Sequence, residues 1–505
     1  MPSFLICLPV LFPIIAGVLM LTFPIKEDKP RYIVNFCVVI INSILAMIIM
    51  SSLEGESVKL FSFYKEYGLV LKLDRGGRIF GSIVALLWPV ASLYAYEYMK
   101  EEKRHNSFFA FYTMTYGVVL GIAFAADLLS MYVFYEMLTL VTFPLVMHTK
   151  TREALKAGVT YLAYSMGGAA FGLIGIIFTI KYGSSLTFSY GGVMGTMAAE
   201  NRTVLLIAFF MAFCGFSVKA AMMPFSRWLI KAAVAPTPVT ALLHAVAVVN
   251  SGAFACIRLI YFVYGKDFLY GSWAQYAVMV LTIVTILYGS CFAVKEPHFK
   301  RRLAYSTISN LSYILFAATL MTDLGIIAAF THMLMHSVTK ICSFYCAGIV
   351  MEKAKKNYVY ELDGIGKRMK ITFTCFTISS LSLIGIPLFA CFHGKWKIGL
   401  AVVGDGSPMA YAGLIALLLS ALLTAIYMLS IVIRVFFPAV LPHVFKTREG
   451  KPVKEVAEEL EREQNSSLEK CPLMLATIII AAIAVVVLGI YWTPLFSFIE
   501  EVITL

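Results

Sequence analysis

Residues 201–260 decide the fold, and they read NRTVLLIAFFMAFCGFSVKAAMMPFSRWLIKAAVAPTPVTALLHAVAVVNSGAFACIRLI. Two apolar runs flank a polar interruption that contains Lys219, Pro224 and a Pro-Thr-Pro turn at 236–238. A lysine inside a membrane helix costs about 2.5 to 3.5 kcal/mol unless it meets a partner or water. A proline removes a backbone hydrogen bond, and an opened backbone at membrane depth must be covered by protein or line a wet cavity. The stretch therefore predicts a broken helix beside an internal hydrated path.

The composition of the whole chain indicates a membrane protein. Of the 505 residues, 60% are hydrophobic and only 14% are charged, with a mean hydropathy of +0.83. A soluble domain has about 25% charged residues, so we expect an all-α polytopic membrane protein. The net charge of +12 comes from basic residues in short loops between apolar runs, and it does not predict nucleic-acid binding.

The ten cysteines lie mostly inside apolar segments and form no CxxC pair or ferredoxin-like run. Cys342 and Cys346 are four residues apart and share a helix face, which favours buried small residues over a metal site. We therefore expect no cofactor, no metal and no redox centre in this chain.

Hydropathy predicts about fourteen spans of roughly 20 residues. They lie near 3–24, 32–51, 77–99, 106–125, 128–148, 156–180, 203–225, 239–262, 272–294, 303–321, 325–351, 371–401, 409–438 and 472–495. The first is predicted to be a retained span rather than a signal peptide.

Residues 52–76 alternate apolar and polar side chains around a glycine, which predicts a β-hairpin on the membrane surface. The polar loop 443–471 predicts a solvated cytoplasmic helix at Glu455 to Glu463, with a docking site for a partner as the alternative.

Basic residues are concentrated in the loops that follow odd-numbered spans, and the positive-inside rule makes those loops cytoplasmic. Both termini are then outside. The basic loop residues include Lys100, Lys103, Arg104, Lys150, Arg152, Lys295, Lys300, Arg301 and Arg302.

The fifth span carries Glu136 in mid-helix, at a depth that matches Lys219 in the seventh. A carboxylate there is expected to be paired, protonated or functional. The pair predicts a coupled titrating site, and a charge that merely ties two helices together is the alternative. Asp127, at the end of the span, is expected to be an interfacial helix cap.

Two later spans carry further ionisable or polar groups. The eighth contains His244 and Asn250, which we interpret as a proton relay beside the broken helix, against the alternative of satisfied core residues. The eleventh contains His332, His336 and Lys340 at i, i+4 and i+8, so all three share one helix face. Imidazole titrates near neutrality and can pass a proton through its two nitrogens. A metal site lacks a supporting carboxylate or HExxH motif.

The twelfth span repeats the pattern of the opening stretch, because Pro387 interrupts it and His393, Lys395 and Lys397 follow. Paired interrupted helices in two halves are typical of inverted-repeat transporters. We therefore expect broken helices 7 and 12, with Lys219 and Lys395 at related positions. The predicted units are 1–105 (spans 1 to 3 with the hairpin), 106–262 (first inverted repeat, spans 4 to 8), 263–438 (second inverted repeat, spans 9 to 13) and 439–505 (cytoplasmic loop and span 14).

Five passages give the chain a resemblance to a known family. They are DLLSMYVFYEMLTLVTFPLV, VKAAMMPFSRWLIKAAVAPTPVTALLHAVAVV, KRRLAYSTISNLSYILFA, FTHMLMHSVTKICSFYCAG and IGIPLFACFHGKWKIG. The chain resembles the antiporter-like subunits of respiratory complex I, Mrp-type cation/proton antiporters and membrane-bound hydrogenases. The resemblance covers nearly all of residues 70 to 435 and fits the shorter members, Mrp D-like or complex I M/N-like.

The resemblance implies fourteen spans in two inverted five-helix repeats around a central hydrophilic axis. It implies proton-translocation roles for residues already singled out: Glu136, Lys219, His332, His336, Lys340 and Lys395. The family often has a lysine where this chain has Asn250, so His244 is the expected local carrier.

The expected function is proton translocation as a subunit of a multi-subunit energy-converting complex in the inner membrane of a prokaryote. Expected partners are other membrane subunits, including homologous antiporter-like ones. Three alternatives remain: a stand-alone secondary transporter of a small solute, a redox subunit that binds quinone or metal, and a Na⁺/H⁺ antiporter subunit.

Overall fold

A computed structural model describes residues 3–51, 57–64, 67–194, 200–437 and 467–504. The polar segment 443–466, with its predicted helix, lies outside them. The described chain is almost entirely helical. Its α-helices are α1 Leu8–Thr22, α2 Asp28–Ser51, α3 Arg75–Tyr98, α4 His105–Phe124, α5 Leu128–Val146, α6 Arg152–Tyr182, α7 Arg202–Ser217, α8 Arg227–Ala232, α9 Thr237–Ala245, α10 Val248–Arg258, α11 Lys266–Leu269, α12 Trp273–Lys295, α13 Phe299–Thr319, α14 Asp323–Lys353, α15 Lys370–Ile384, α16 Ala390–Asp405, α17 Pro408–Phe436, α18 Pro472–Ile490 and α19 Thr493–Thr504.

Many of these helices are suited to a bilayer, which confirms an all-α multi-pass membrane protein. Within the described ranges, eleven helices are long and apolar enough to cross a membrane. Two shorter apolar helices, α7 and α15, lie directly before the two interruptions that the sequence predicts.

The predicted hairpin is confirmed. Strand β1 (Val58–Tyr64) pairs antiparallel with β2 (Tyr67–Leu71). Its second strand reaches the end of α4, because Lys72 N donates to Phe124 O at 2.7 Å. The predicted cap is also present, since the Asp127 carboxylate accepts from Ser130 N at 2.7 Å at the start of α5.

The most buried helices are those that carry the polar side chains. The membrane-spanning windows of α14 and of Thr237–Tyr264, which holds α9 and α10, are completely buried, whereas those of α6, α17 and α18 are mostly accessible. A shell of apolar helices therefore surrounds a centre that contains histidines and lysines.

Loops after odd-numbered and even-numbered spans gather at opposite ends of the molecule. At one end Lys353 Nζ lies 2.8 Å from Glu101 Oε1, and Arg434 lies 3.4 Å from Asp363. At the other end Lys266 Nζ lies 2.7 Å from the Asp323 carboxylate. We call the first end the basic end, because the sequence analysis places most loop lysines and arginines there.

Candidate functional site

The predicted break after α7 is confirmed. The helix ends at Ser217, turns occupy residues 218–226, and Lys219 and Pro224 lie within them. Neighbouring side chains bind the opened backbone: Trp228 Nε1 donates to the Val218 carbonyl at 2.8 Å. The break is therefore covered by protein, as an opened backbone at membrane depth requires.

Lys219 and Glu136 form the expected ion pair. Lys219 Nζ lies 3.6 Å from Glu136 Oε1, donates to the Tyr135 carbonyl and lies 3.4 Å from the centroid of the Tyr135 ring. The two partners differ in burial: the Lys219 side chain is 0% exposed and the Glu136 side chain 26%. Protein therefore encloses Lys219, whereas part of the Glu136 side chain is accessible, although its Oε1 atom beside Lys219 is buried.

The eighth span is interrupted as well, and here the expectation of one continuous second helix was wrong. The α-helical geometry is lost at Val246 and Ala247, between α9 and α10. His244 lies at the end of α9. Asn250 Nδ2 donates to the freed carbonyl of Ala245 at 2.8 Å and to Ser337 Oγ at 2.7 Å, so Asn250 stabilises the break and connects it to α14.

The three ionisable groups of α14 lie together and are fully buried. The His332 and His336 ring centroids are 6.2 Å apart. Lys340 Nζ donates to the Leu303 carbonyl at 3.1 Å. No ring nitrogen of His332, His336 or His244 has a hydrogen-bond partner in the described part of the chain. Buried polar atoms of this kind are normally satisfied by protein or ordered water.

The twelfth span breaks between α15 and α16, where Pro387 lies. Lys395 Nζ donates to the carbonyls of Leu383 and Ile384, at 2.7 and 3.0 Å, at the C-terminal end of α15. A lysine is stabilised there because the last carbonyls of a helix carry partial negative charge.

The other two polar groups of this span lie elsewhere. His393 Nε2 donates to the Gly489 carbonyl at 2.7 Å, and Lys397 lies over the rings of Trp492 and Phe496. Only Lys395 joins the buried polar groups.

Close packing connects the interrupted helices. A Cβ atom on Gly252 in α10 would lie 3.0 Å from Lys219 Cβ, and one on Gly394 in α16 would lie 3.0 Å from His332 Cβ. Electrostatic interactions link His336 to His332, His244 and Lys340. His244, His332, His336 and Lys340 thus lie close together, Lys395 lies near His332, and Lys219 packs against α10.

Two features escaped the sequence analysis. Lys300 and Arg302 were assigned to a basic loop, but they are only 3% and 8% exposed and lie in the first turn of α13. Arg258, fully buried at the end of α10, pairs with Asp74 at the N-terminus of α3. For Lys300 and Arg302 the only signal was a basic residue at the edge of an apolar run, which loop lysines also give. Arg258 lies inside the apolar run 253–264, and that position was the signal for a buried charge.

Within the described residues, no group of three or more His, Cys, Asp or Glu side chains could hold a metal ion.

Comparisons with known proteins agree with this architecture. Residues 125–424 match the family described as NADH:quinone oxidoreductase/Mrp antiporter, TM. The chain is 29% identical over 430 residues to NADH-quinone oxidoreductase subunit N of Desulforudis audaxviator, covering 84% of this chain and 82% of the relative. It is 30% identical over 334 residues to the A/B component of a probable K(+)/H(+) antiporter of Rhizobium meliloti, covering 65% of this chain and 33% of that relative.

A solved structure has the same fold. A chain of the Mrp complex from Dietzia sp. DQ12-45-1b superimposes with a TM-score of 0.80 at 20% identity, covering 99% of this chain and 97% of that one. Residues 125–424 contain the breaks after α7, between α9 and α10, and after α15, together with the buried histidines and lysines. The chain therefore belongs to the NADH:quinone oxidoreductase/Mrp antiporter family and is an antiporter-like membrane subunit.

Proposed function

We propose that this chain translocates protons within a multi-subunit energy-converting complex, along a hydrophilic axis through the middle of the subunit. One observation carries the proposal: a fully buried lysine, Lys219, pairs with a partly exposed Glu136 inside a helix break. Burying a charged pair inside a membrane protein is energetically costly, and ionisable residues that are kept there commonly have a function. The similarity to complex I and Mrp subunits supports the same conclusion.

The first step follows from the difference in burial within the pair. Part of the Glu136 side chain is accessible from outside the subunit, and we propose that a conformational change in a neighbouring subunit draws its carboxylate away from Lys219. The lysine ammonium then remains in an apolar site without its countercharge, a state that disfavours the charged form. Lys219 releases its proton toward the interior.

The released proton moves through groups that can each bind and release one. We propose that His244, His332, His336 and Lys340 carry it to Lys395, with Asn250 holding the path at the break beside Ser337. Unpaired imidazole nitrogens suit this role, because they can hydrogen-bond to water on both sides of the ring.

The subunit is proposed to have fourteen spans, with inverted repeats at 106–262 and 263–438 between flanking regions 1–105 and 439–505. The breaks after α7 and after α15 support the repeats. Lys219 lies in the first break and Lys395 follows the second, and each lysine donates to a backbone carbonyl. We place the basic end in the cytoplasm and both termini outside a prokaryotic inner membrane, with homologous membrane subunits as neighbours.

A cation/proton antiporter subunit is the second candidate, favoured by the likeness to a relative named for K⁺/H⁺ exchange. Measurement of ²²Na⁺ and ⁸⁶Rb⁺ flux against proton flux in vesicles separates the two. A stand-alone solute transporter would be active as a lone purified chain.

Lys219→Ala tests the proposal. We expect the complex to assemble and proton pumping by inverted vesicles to be lost, since the coupled pair is gone. Lys231→Ala is the control, because Lys231 lies in the same broken segment but is exposed and bonds only Thr160 Oγ1 at 3.1 Å among the described side chains. Unimpaired pumping by Lys219→Ala would refute the proposal.

A further inference from the structure

Lys300 occupies a place that a loop lysine does not. It lies in the first turn of α13 at the basic end, yet only 3% of its surface is exposed. Its Nζ donates to the Ala235 carbonyl at 2.7 Å. Ala235 lies two residues before α9, in the turn that joins α8 to α9, so the ammonium group is held against the segment that leads into the eighth span.

The charge of Lys300 acts in two directions. On the inner side it acts on His244, together with the charge of Lys340. On the outer side it interacts with Glu102, a half-buried carboxylate in the loop between α3 and α4. Lys300 therefore lies between a surface carboxylate and a fully buried histidine that has no hydrogen-bond partner among the described residues.

Other proton-binding groups lie at the same end of the molecule. The carboxylates of Glu101 and Glu352 accept from Lys353 and Lys355, at 2.8 and 3.1 Å, and Tyr98 lies within electrostatic range of Glu352 and Glu102. The Tyr98 hydroxyl in turn lies 3.4 Å from Thr237 Oγ1 in the first turn of α9. Carboxylates at a surface raise the local proton concentration by their negative potential.

We infer that Lys300 is the proton-uptake group of this subunit: it receives protons from the carboxylates at the basic end and passes them to His244. This inference rests on the proposed function and adds the side from which the path is filled. Each transfer moves one proton: Lys300 gives a proton to a His244 nitrogen and, now neutral, takes another from water or a carboxyl group at the mouth.

Substitutions at position 300 can distinguish a residue that transfers protons from one that only supplies a positive charge. Lysine loses its proton readily when buried, whereas arginine keeps its proton in proteins. A Lys300→Arg variant preserves the positive charge and a donor for the Ala235 carbonyl but stops proton transfer. Lys300→Met removes both properties at similar length. Arg301→Met is the matched control, because Arg301 is the next residue, carries the same charge and is exposed.

The experiment measures proton pumping by the whole complex in inverted vesicles, normalised to assembled complex. We expect Lys300→Met and Lys300→Arg each to reduce pumping at least tenfold, while Arg301→Met pumps like the unmodified protein. If Lys300→Met fails to assemble, Lys300→Arg decides. Normal pumping by Lys300→Arg would overturn the inference, because a fixed charge would then be sufficient.

Lys219→Ala, measured in the same experiment, distinguishes a failure of the uptake role from a failure of the proposed function. Loss of pumping in Lys219→Ala with normal pumping in Lys300→Met rejects the uptake role and leaves the proposed function standing. Normal pumping in Lys219→Ala rejects the proposed function, and the uptake role with it.

Discussion

The two charged residues nearest the first helix break differ in a way that sequence alone does not reveal. Lys219 is enclosed and holds the Tyr135 carbonyl, whereas a quarter of the Glu136 side chain is accessible. The apolar context predicted that both residues are special, because charges inside membrane helices are rare. Which of the two can move depends on packing between α5 and the break, and no local pattern encodes that packing.

Glu136→Gln should reduce proton pumping about tenfold or more. The substitution keeps the shape of the side chain but removes the negative charge that lies 3.6 Å from Lys219 Nζ, and a nearby opposite charge is what favours the protonated lysine. Pumping by vesicles is the measurement, and Glu153→Gln, at an exposed position of α6, is the control. Equal pumping by both variants would contradict the role of the ion pair.

Asn250→Ala should destabilise the subunit by about 1 to 3 kcal/mol, because the buried Ala245 carbonyl and Ser337 hydroxyl each lose a partner. A lower melting temperature of the purified protein is the expected result. Asn357→Ala serves for comparison, since Asn357 is exposed and its side chain makes no hydrogen bond in the described structure. If Asn250→Ala melts at the same temperature as Asn357→Ala, Asn250 does not stabilise the break between α9 and α10.

At the scale of helices, the described structure has the two breaks that the sequence predicted and a further one between α9 and α10. Pro224 and Pro387 mark the breaks after α7 and α15. The break between α9 and α10 falls at Val246 and Ala247, which are ordinary residues in a helix. Tertiary contacts hold it open: Asn250 binds the carbonyl that the missing turn leaves free.

Gly252→Ala should push α10 away from Lys219 in the break after α7. An added Cβ would come within 2.8 Å of the Lys219 carbonyl carbon, so the helix or the lysine must shift, and we expect pumping to fall several-fold. Gly167→Ala is the control, because nothing lies within 4 Å of its Cβ position. Wild-type pumping with Gly252→Ala would show that Lys219 tolerates displacement.

The start of α13 should weaken in acid. His298 caps this helix by accepting from Arg301 N at 3.5 Å, and burial lowers its pKa to about 4, below the usual value of about 6.5. The cap contributes fully above pH 6.5, and its contribution is lost as pH falls toward 4, because only the unfolded chain binds the proton there.

His298→Asn keeps a capping side chain without this titration. Melting temperatures at pH 7 and pH 5 are the measurement, and we expect a smaller drop for the variant than for the unmodified protein. Equal drops would mean that the cap does not titrate.

At the scale of the whole molecule, the membrane class and the two-ended arrangement of loops followed from hydropathy and alternating basic loops. The assignment of basic residues was less successful, because Lys300 and Arg302 turn inward from the first turn of α13. Counting charges cannot distinguish a residue that faces water from one that faces the break. That difference arises only from packing, because Lys300 meets the Ala235 carbonyl and Arg302 meets the end of α17.

The proposed proton path runs through both halves of the molecule. Lys395, at its far end, should therefore matter as much as the Lys219–Glu136 ion pair. Lys395 lies at the far helix break on the carbonyls of α15. Lys397, two residues later, lies over aromatic rings outside the buried centre. The two lysines form a matched pair in one helix.

The most direct measurement is the number of protons pumped per turnover by the reconstituted complex carrying Lys395→Met or Lys397→Met. We predict that Lys395→Met abolishes the contribution of this chain, although Lys219 and Glu136 are unchanged, and that Lys397→Met pumps normally. Full proton pumping by Lys395→Met would contradict a path that runs through both halves.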